Sequence, residues 1–207
     1  MGFGIALIGY AFLLMGDLGG ALFAAPVLAY GFFLASRLES NFLRASISAL
    51  FMLPRGIFMI IYSFADIKNG AYIELINTFN TVTFILFQLA WLAMSLFWLN
   101  AVANIAKECN SAMILKRTNI TKAFTLPYIV LATTATVLSS GGMLGTYAGT
   151  ISVIMFILMY VVIIMNLIML HTCFVLITSE RQYAKDKQQL AKERAEAMKK
   201  ASEKNKK

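Results

Sequence analysis

The sequence predicts an all-α fold, a polytopic transmembrane helical bundle of about six spans with a basic C-terminal cytoplasmic helix. Of the 207 residues, 59% are hydrophobic and only 14% are charged, whereas soluble domains usually carry about 25% charged residues. The apolar residues come in long runs that are separated by short polar or glycine-rich segments. Because a water-soluble fold needs polar side chains over its surface, lipid must solvate much of this chain.

Six apolar segments are candidates for membrane spans, since a helix needs about 20 mainly apolar residues to cross the hydrocarbon core. The first two are short and lie on either side of a turn at 17–20. Residues 3–36 therefore form either a hairpin of two short spans, which we favour, or one span with an interfacial segment. The transmembrane domain, residues 1–178, has predicted spans at about 3–16, 20–36, 42–65, 72–107, 122–140 and 148–177.

The later spans have clear boundaries in the sequence. The third span is either continuous or broken at Pro54, and the turn signal at 66–70 ends it. The fourth helix is longer than a bilayer is thick, so one of its ends should project into water. The polar and basic segment 110–121 is predicted to be a loop. Residues 179–207 are rich in Ala, Lys, Glu and Gln, which predicts an exposed cytoplasmic helix.

The charge distribution predicts a multi-pass protein of the cell (plasma) membrane with a cytoplasmic N-terminus and a cytoplasmic C-terminus. Lys and Arg near span ends concentrate on the cytoplasmic side. Of the 18 Lys and Arg, 16 lie in segments 37–44, 107–122 and 179–207, which six spans place on one side. The connections on the other side hold one basic residue, Lys68. The remaining basic residue, Arg55, lies within a span. If the first two spans were one, the N-terminus would move outside.

The expected partners are the lipid bilayer, anionic lipid headgroups at the tail and a partner subunit. The net charge of +8 arises mostly from the tail, which holds ten basic and five acidic residues. A basic tail beside a span favours anionic headgroups, so we expect no nucleic-acid partner. The chain has one histidine, His171, and two separated cysteines, Cys109 and Cys173, so we expect no metal site and no cofactor.

Arg55 follows Pro54 near the middle of the third span and is the most informative residue. A guanidinium at the bilayer centre costs about 3 kcal/mol on insertion scales, so such residues usually face the bundle interior or a wet cavity. The functional interpretation is an anion site or a gating ion pair. Two alternatives are an Arg that bonds freed carbonyls and polar groups of the fourth span, and a broken span that places Arg55 near an interface.

The fourth span carries polar side chains on one face, at steps of four and seven residues. This polar stripe consists of Asn77, Thr81, Gln88 and Ser95. It either lines a hydrophilic path or makes hydrogen bonds between helices, each worth about 0.6–2 kcal/mol. We expect Arg55 and Gln88 at a similar depth near the membrane centre. The candidate substrate-binding residues are Arg55, Gln88, Asn77, Asn80 and Thr81.

These features favour a small-solute or ion transport or binding component over an enzyme. No catalytic motif is present, and the spans carry carboxylates only near their outer ends, which argues against paired acid–base groups. The alternative is a non-catalytic membrane subunit or sensor-like anchor whose basic tail engages a cytosolic partner or lipid headgroups. A wet cavity that reaches Arg55 would favour transport. Trp91 and Trp98 are candidates for interface anchors.

Overall fold

The computed structural model describes residues 2–15, 19–64 and 73–204, with side chains described no further than residue 177. These parts of the chain contain helices and their connections without any strand, which confirms the all-α prediction. The helices are α1 (Gly2–Leu13), α2 (Gly20–Ala35), α3 (Asn41–Leu50), α4 (Leu53–Phe64), α5 (Ile73–Glu108), α6 (Ala112–Ser140) and α7 (Ala148–Lys204). A short 3₁₀ turn, Gly145–Tyr147, precedes α7.

Four helical segments are long and apolar enough to cross a membrane, and α1 and α2 are shorter apolar helices. One of the four segments, Asn41–Ser63, combines α3 with α4. The outer surface of these helices is apolar, because large apolar side chains such as Ile157 on α7 and Leu131 on α6 are exposed. This pattern fits a membrane-embedded protein, in which lipid covers such side chains.

The helices form a ring. Contacts join α1 to α2, α2 to α4, α4 to α5, α5 to α6, α6 to α7 and α7 back to α1, while α3 packs on α2 and α5. We call the end where α1 begins the terminal end, because α7 also leaves the bundle there, with Phe174 beside Gly4. The other end, which holds the connection 141–147 between α6 and α7, is the far end.

Small residues hold α1 and α2 together as a hairpin. A Cβ atom added at Gly9 would lie 2.7 Å from Leu28 Cγ, and one at Gly31 would lie 2.6 Å from the backbone nitrogen of Ala6. Such close approach of two backbones needs residues without side chains. Residues 3–36 thus form two helices and not a single span.

The helix of the predicted third span is interrupted just before its proline. The amides of Phe51 and Met52 donate to the carbonyls of Ser48 and Ala49, three residues back, at 3.2 and 3.1 Å. The chain then restarts as α4 with Pro54 as its second residue, where the missing N–H removes no helical hydrogen bond. Arg55 follows in the first turn of α4.

The prediction of a loop at 110–121 is wrong for most of that segment, because α6 begins at Ala112. Asn110 has a φ of 54°, and the amide of Ser111 donates to the carbonyl of Ala106 at 2.8 Å, so the turn is complete within a few residues. Helix α6 then buries Ile114, Thr118, Thr121 and Thr125 at helical spacing. The charged residues of the segment obscured this periodicity in the sequence.

Helix α7 joins the predicted sixth span to the basic tail without a break. Its 57 residues correspond to a length of about 85 Å, well over twice the thickness of a hydrocarbon core. The sequence from 150 to 204 contains neither Gly nor Pro, and the tail is rich in strong helix formers. Residues 205–207 lie outside the described part of the chain.

Aromatic side chains fill the half of the ring toward the terminal end. The Trp98 ring stacks on Phe32 at 6.0 Å, and Phe32 lies 6.1 Å from Phe42. Tyr10 packs edge-on against Trp98 at 6.1 Å and accepts a 3.1 Å hydrogen bond from Trp98 Nε1. Trp91 and Trp98 are both buried, so the prediction that they anchor the chain at a membrane interface is wrong. Their polar N–H groups point into the interior.

Candidate functional site

A cavity of about 420 Å³ lies inside the ring, in the half toward the far end. Its lining includes residues of α2, α4, α5, α6 and α7 and the tip of the α1–α2 hairpin, among them Leu13 and Gly19. The lining extends from Trp91 and Ile163 in the middle of the bundle to Leu144 in the far-end connection. Small-molecule sites in proteins commonly have volumes of about 300–1,000 Å³, so the cavity is large enough for a small solute or a headgroup.

Arg55 lies in the wall of this cavity and is half-buried. Its Nη1 donates to Asn80 Oδ1 at 2.6 Å, to the Asn80 carbonyl at 3.2 Å and to Thr83 Oγ1 at 3.4 Å. The guanidinium carbon lies 5.3 Å from the centre of the Phe84 ring and 5.9 Å from that of Phe58. Arg55 therefore projects toward α5, as expected from the sequence, in contact with both polar groups and aromatic faces.

Four of the five predicted site residues line the same cavity: Arg55, Asn80, Thr81 and Gln88. Asn77 is not part of the lining and is exposed, because it lies one turn closer to the end of α5 than Thr81. The guanidinium of Arg55 bonds at the level of Asn80, which is about 12 Å along α5 from Gln88. Arg55 and Gln88 thus do not share a depth. They mark two different levels of one cavity.

Gly56 sets the direction in which Arg55 projects. A Cβ atom at Gly56 would overlap the backbone nitrogen of Leu22 and lie 2.6 Å from Leu22 Cα. Backbone therefore contacts backbone where α4 crosses α2, and no side chain fits between the helices. Because successive helical residues point about 100° apart, the contact of Gly56 with α2 directs Arg55 away from α2. No pattern in the sequence signals this contact.

Buried polar atoms without a well-formed hydrogen bond in the described structure lie beside the deeper part of the cavity. Gln88 is 2% exposed and Trp91 is 1% exposed, and both line the cavity. Gln88 Oε1 has no hydrogen-bond partner, and Trp91 Nε1 and Ser95 Oγ lie near the Tyr10 hydroxyl without forming a hydrogen bond of good geometry. Leaving such a group unsatisfied costs about 1–3 kcal/mol. These atoms, Gln88 Oε1 above all, would gain from water or a ligand group inside the bundle.

Sequence reasoning missed the contribution of α6 and α7 to the cavity. Hydroxyl groups of Thr136, Ser139 and Ser152 belong to lining residues, but most of them also bond a carbonyl of their own helix, as Ser152 does with Ala148 at 2.8 Å. The remaining lining of these helices is largely apolar, including Met155 and Met159. Isolated Ser and Thr residues in apolar helices carry no signal that separates a cavity wall from helix packing.

Among the described residues, the lining combines the Arg55 cation and a few amides and hydroxyls on the α4–α5 side with mainly apolar and aromatic walls elsewhere. Toward the terminal end, the lining reaches Trp91, whereas Trp98 and Phe32, which stack on each other, are not part of it. Within the described residues, no three His, Cys, Asp or Glu side chains come together as they would to hold a metal ion. The arrangement is suited to binding a molecule that has one anionic group and an apolar part.

Comparison with known proteins adds no relationship, because no family model, no curated protein and no solved structure matches this chain.

Proposed function

We propose that this membrane protein binds a small anionic solute in the cavity between α4, α5, α6 and α7, as a binding or transport component. The observation that carries the proposal is Arg55 in the wall of a cavity of about 420 Å³. A guanidinium offers donors in a planar fork that matches carboxylate, sulfonate and phosphate groups. Gln88, which also lines the cavity, has a side-chain oxygen, Oε1, without a hydrogen-bond partner in the described structure.

Purified protein should bind butanesulfonate, a small anion whose charge does not depend on pH. Trp91 lines the cavity, so its fluorescence should change saturably, and the melting temperature should rise as ligand binding stabilises the fold. Butanol and butylammonium are controls of the same chain length with no charge and with positive charge. Equal effects of all three compounds, or no effect of the sulfonate, would contradict the proposal.

Uptake of labelled butanesulfonate into proteoliposomes separates transport from binding alone. A transporter must also open its site toward the terminal end, where Phe32, Phe42 and Trp98 pack together. Saturable uptake above that of protein-free liposomes supports transport. Binding without uptake supports a receptor or a subunit that works with a partner.

In the proposed orientation both termini are cytoplasmic in the plasma membrane, and the cavity opens outward. We expect that a cysteine at Lys68 or Met143 reacts with an impermeant maleimide added to intact cells, whereas a cysteine at Lys116 reacts only after permeabilisation. Met143 is 77% exposed in the far-end connection, whereas Lys68 lies outside the described residues. Both native cysteines, Cys109 and Cys173, must first be replaced, because a free native thiol, above all that of the exposed Cys109, would also react with the maleimide. The opposite labelling pattern would contradict the proposed orientation and place both termini outside.

A second function, a membrane anchor whose tail binds lipid headgroups or a cytosolic partner, is favoured by the length of α7. The helix continues to Lys204, and the tail of residues 179–207 has a net charge of +5, from ten basic and five acidic residues. Each basic residue near an anionic surface contributes up to about 1 kcal/mol.

We therefore expect a fluorophore at position 199 of the full chain to be quenched by spin-labelled headgroups in anionic nanodiscs. The quenching should weaken with salt and be absent in neutral nanodiscs. A fluorophore at Met143 is the control for the opposite end. If position 199 is not quenched in anionic nanodiscs at low salt, the tail is not bound to the membrane surface, and only the partner-binding version of the second function remains.

A further inference from the structure

The α1–α2 hairpin ends well before the helices beside it. The hydroxyl of Tyr160 on α7 donates to the carbonyl of Leu14 at the hairpin tip, at 3.4 Å. Helix α7 begins at Ala148, twelve residues earlier, so it extends about 18 Å past this contact toward the far end. On the other side, Gly19 lies against Ile60 of α4, which continues to Phe64. Among the described residues, the hairpin therefore separates α4 from α7 only up to its tip.

Phe156 on α7 lies beyond the hairpin tip, where the hairpin no longer covers α7. It lies one turn from Tyr160 on α7. It is on the same side of the helix as Tyr160 and Phe174, which contact the α1–α2 hairpin nearer the terminal end. Phe156 lines the cavity and is 53% exposed. A side chain that lines the cavity and is more than half exposed lies at an opening of the cavity. Among the described residues, this opening is the gap between α4 and α7 above the hairpin tip, at the side of the bundle that faces lipid in a membrane-embedded protein.

We infer that the ligand of this cavity is a single-chain amphiphilic anion that comes from the bilayer through the gap between α4 and α7. Its charged headgroup lies beside Arg55, Asn80 and Thr81, and its apolar chain leaves past Phe156 into the lipid. This inference rests on the proposed anion site and specifies its substrate class. A freely soluble solute needs no apolar side opening, whereas a lipid-like anion needs both a polar chamber and a lipid-facing exit for its chain.

The chemistry of the lining agrees with such a ligand. The Arg55 guanidinium and the amide side chains of Asn80 and Gln88 lie on the α4–α5 side, whereas Met155 and Met159 of α7 line the opposite, mainly apolar side. Methionine side chains are flexible and adapt to irregular apolar surfaces. Holding a headgroup in a polar chamber while the chain stays in lipid avoids the transfer of a long alkyl chain into water, which is unfavourable for every methylene group.

The test uses quenching of a single tryptophan by a bromine-labelled chain in nanodiscs. Trp91 and Trp98 are the two tryptophans of the chain and are both replaced by Phe. A single tryptophan is then introduced by Phe156→Trp in one protein and by Ile157→Trp in the other. These neighbouring positions have similar exposure, 53% and 58%, but Ile157 is not part of the cavity lining. The probe is dibromostearyl sulfate, and dibromostearyl alcohol is the uncharged control.

We expect quenching of the Phe156→Trp protein by the sulfate to contain a saturable component. Quenching of the Ile157→Trp protein should rise only in proportion to the probe in the bilayer. The saturable component should be lost, with binding weaker by about tenfold or more, when Arg55→Met is added and with the alcohol probe. Identical quenching of the two proteins, or a saturable component that Arg55→Met leaves unchanged, overturns the inference.

Butanesulfonate binding to the same Phe156→Trp protein, measured as the shift in melting temperature, distinguishes the two ways of failing. If butanesulfonate binds saturably but the sulfate probe gives no saturable quenching, the anion site stands and its ligand is a soluble solute, so the inference is wrong. If neither compound binds this protein or the unmodified chain, the proposed function fails together with the inference.

Discussion

Replacing Arg55 with Met should abolish binding of butanesulfonate while the helical fold is retained. Met has a similar length and fills the same space, but it removes the positive charge and the donors that reach Asn80 and Thr83. Loss of a charge-assisted hydrogen bond is worth about 1.5–3 kcal/mol, which corresponds to a loss of affinity of about tenfold or more. Titration followed by Trp91 fluorescence measures the affinity, and circular dichroism and size-exclusion chromatography measure the fold.

Arg44→Met is the matched control, because Arg44 is an exposed arginine of α3 outside the cavity lining. Its contacts are a 3.4 Å hydrogen bond to Asn41 and the Phe97 ring at 5.9 Å, so its loss should leave anion binding unchanged. Arg55→Lys keeps the charge without the planar fork and should bind with intermediate affinity. Unchanged binding in Arg55→Met would contradict the proposed anion site at Arg55.

The stabilisation of Arg55→Met by butanesulfonate also separates the two interpretations. If the arginine is a purely structural link to Asn80, its replacement by an apolar side chain should be tolerated or even stabilising, since a polar group no longer has to be buried. If Arg55 binds a ligand, the Arg55→Met protein should be equally stable in the absence of ligand, but butanesulfonate should no longer stabilise it. The ligand-dependent shift in melting temperature is therefore the decisive measurement.

Replacing Gly56 with Ala should destabilise the bundle by about 1–3 kcal/mol or more, the range for overpacked sites. The new Cβ atom would overlap the backbone of Leu22 and lie 2.8 Å from the carbonyl carbon of Ala21. Backbone atoms cannot rotate away as a flexible side chain does, so α4 has to move away from α2. Thermal unfolding of the protein in nanodiscs measures the loss, and anion binding should fall as Arg55 shifts.

Gly149→Ala is the control for this change, because nothing lies within 4 Å of a Cβ atom at Gly149. It makes the same chemical substitution in the first turn of α7, and removal of a helical glycine should be neutral or stabilising by up to about 1 kcal/mol. A melting temperature of Gly56→Ala equal to that of Gly149→Ala would contradict close packing of α2 on α4. A loss confined to Gly56→Ala supports it.

Several features of the site could be predicted because they cost energy wherever they occur in an apolar chain. Arg55 stands out within a membrane segment, and Thr81, Gln88 and Ser95 share a helical face by spacing alone. The structure turns this face inward, with Thr81 and Gln88 in the cavity lining and Ser95 buried. Asn77 follows the same spacing, but the described bundle does not cover the end of α5, so Asn77 is exposed.

The cavity itself could not be predicted, because it depends on where helices end relative to one another. The hairpin tip at Leu14 and the start of α7 at Ala148 are about 18 Å apart along the bundle, and no local signal encodes this offset. The tryptophans show the same limit. Trp91 and Trp98 match the composition of an interface belt, yet both lie inside the bundle, where Trp98 bonds Tyr10.

The lipid surroundings of this protein, its helical class and its uneven charge all follow from the amino-acid sequence, because apolar content, apolar run length and clustered Lys and Arg are properties of the chain alone. Which polar groups meet depends on packing. Gly56 lets α4 approach α2 and thereby directs Arg55 toward Asn80, and the short α1–α2 hairpin leaves space beneath Phe156. Both features require distances between segments far apart in the sequence, and only the packing of the helices sets those distances.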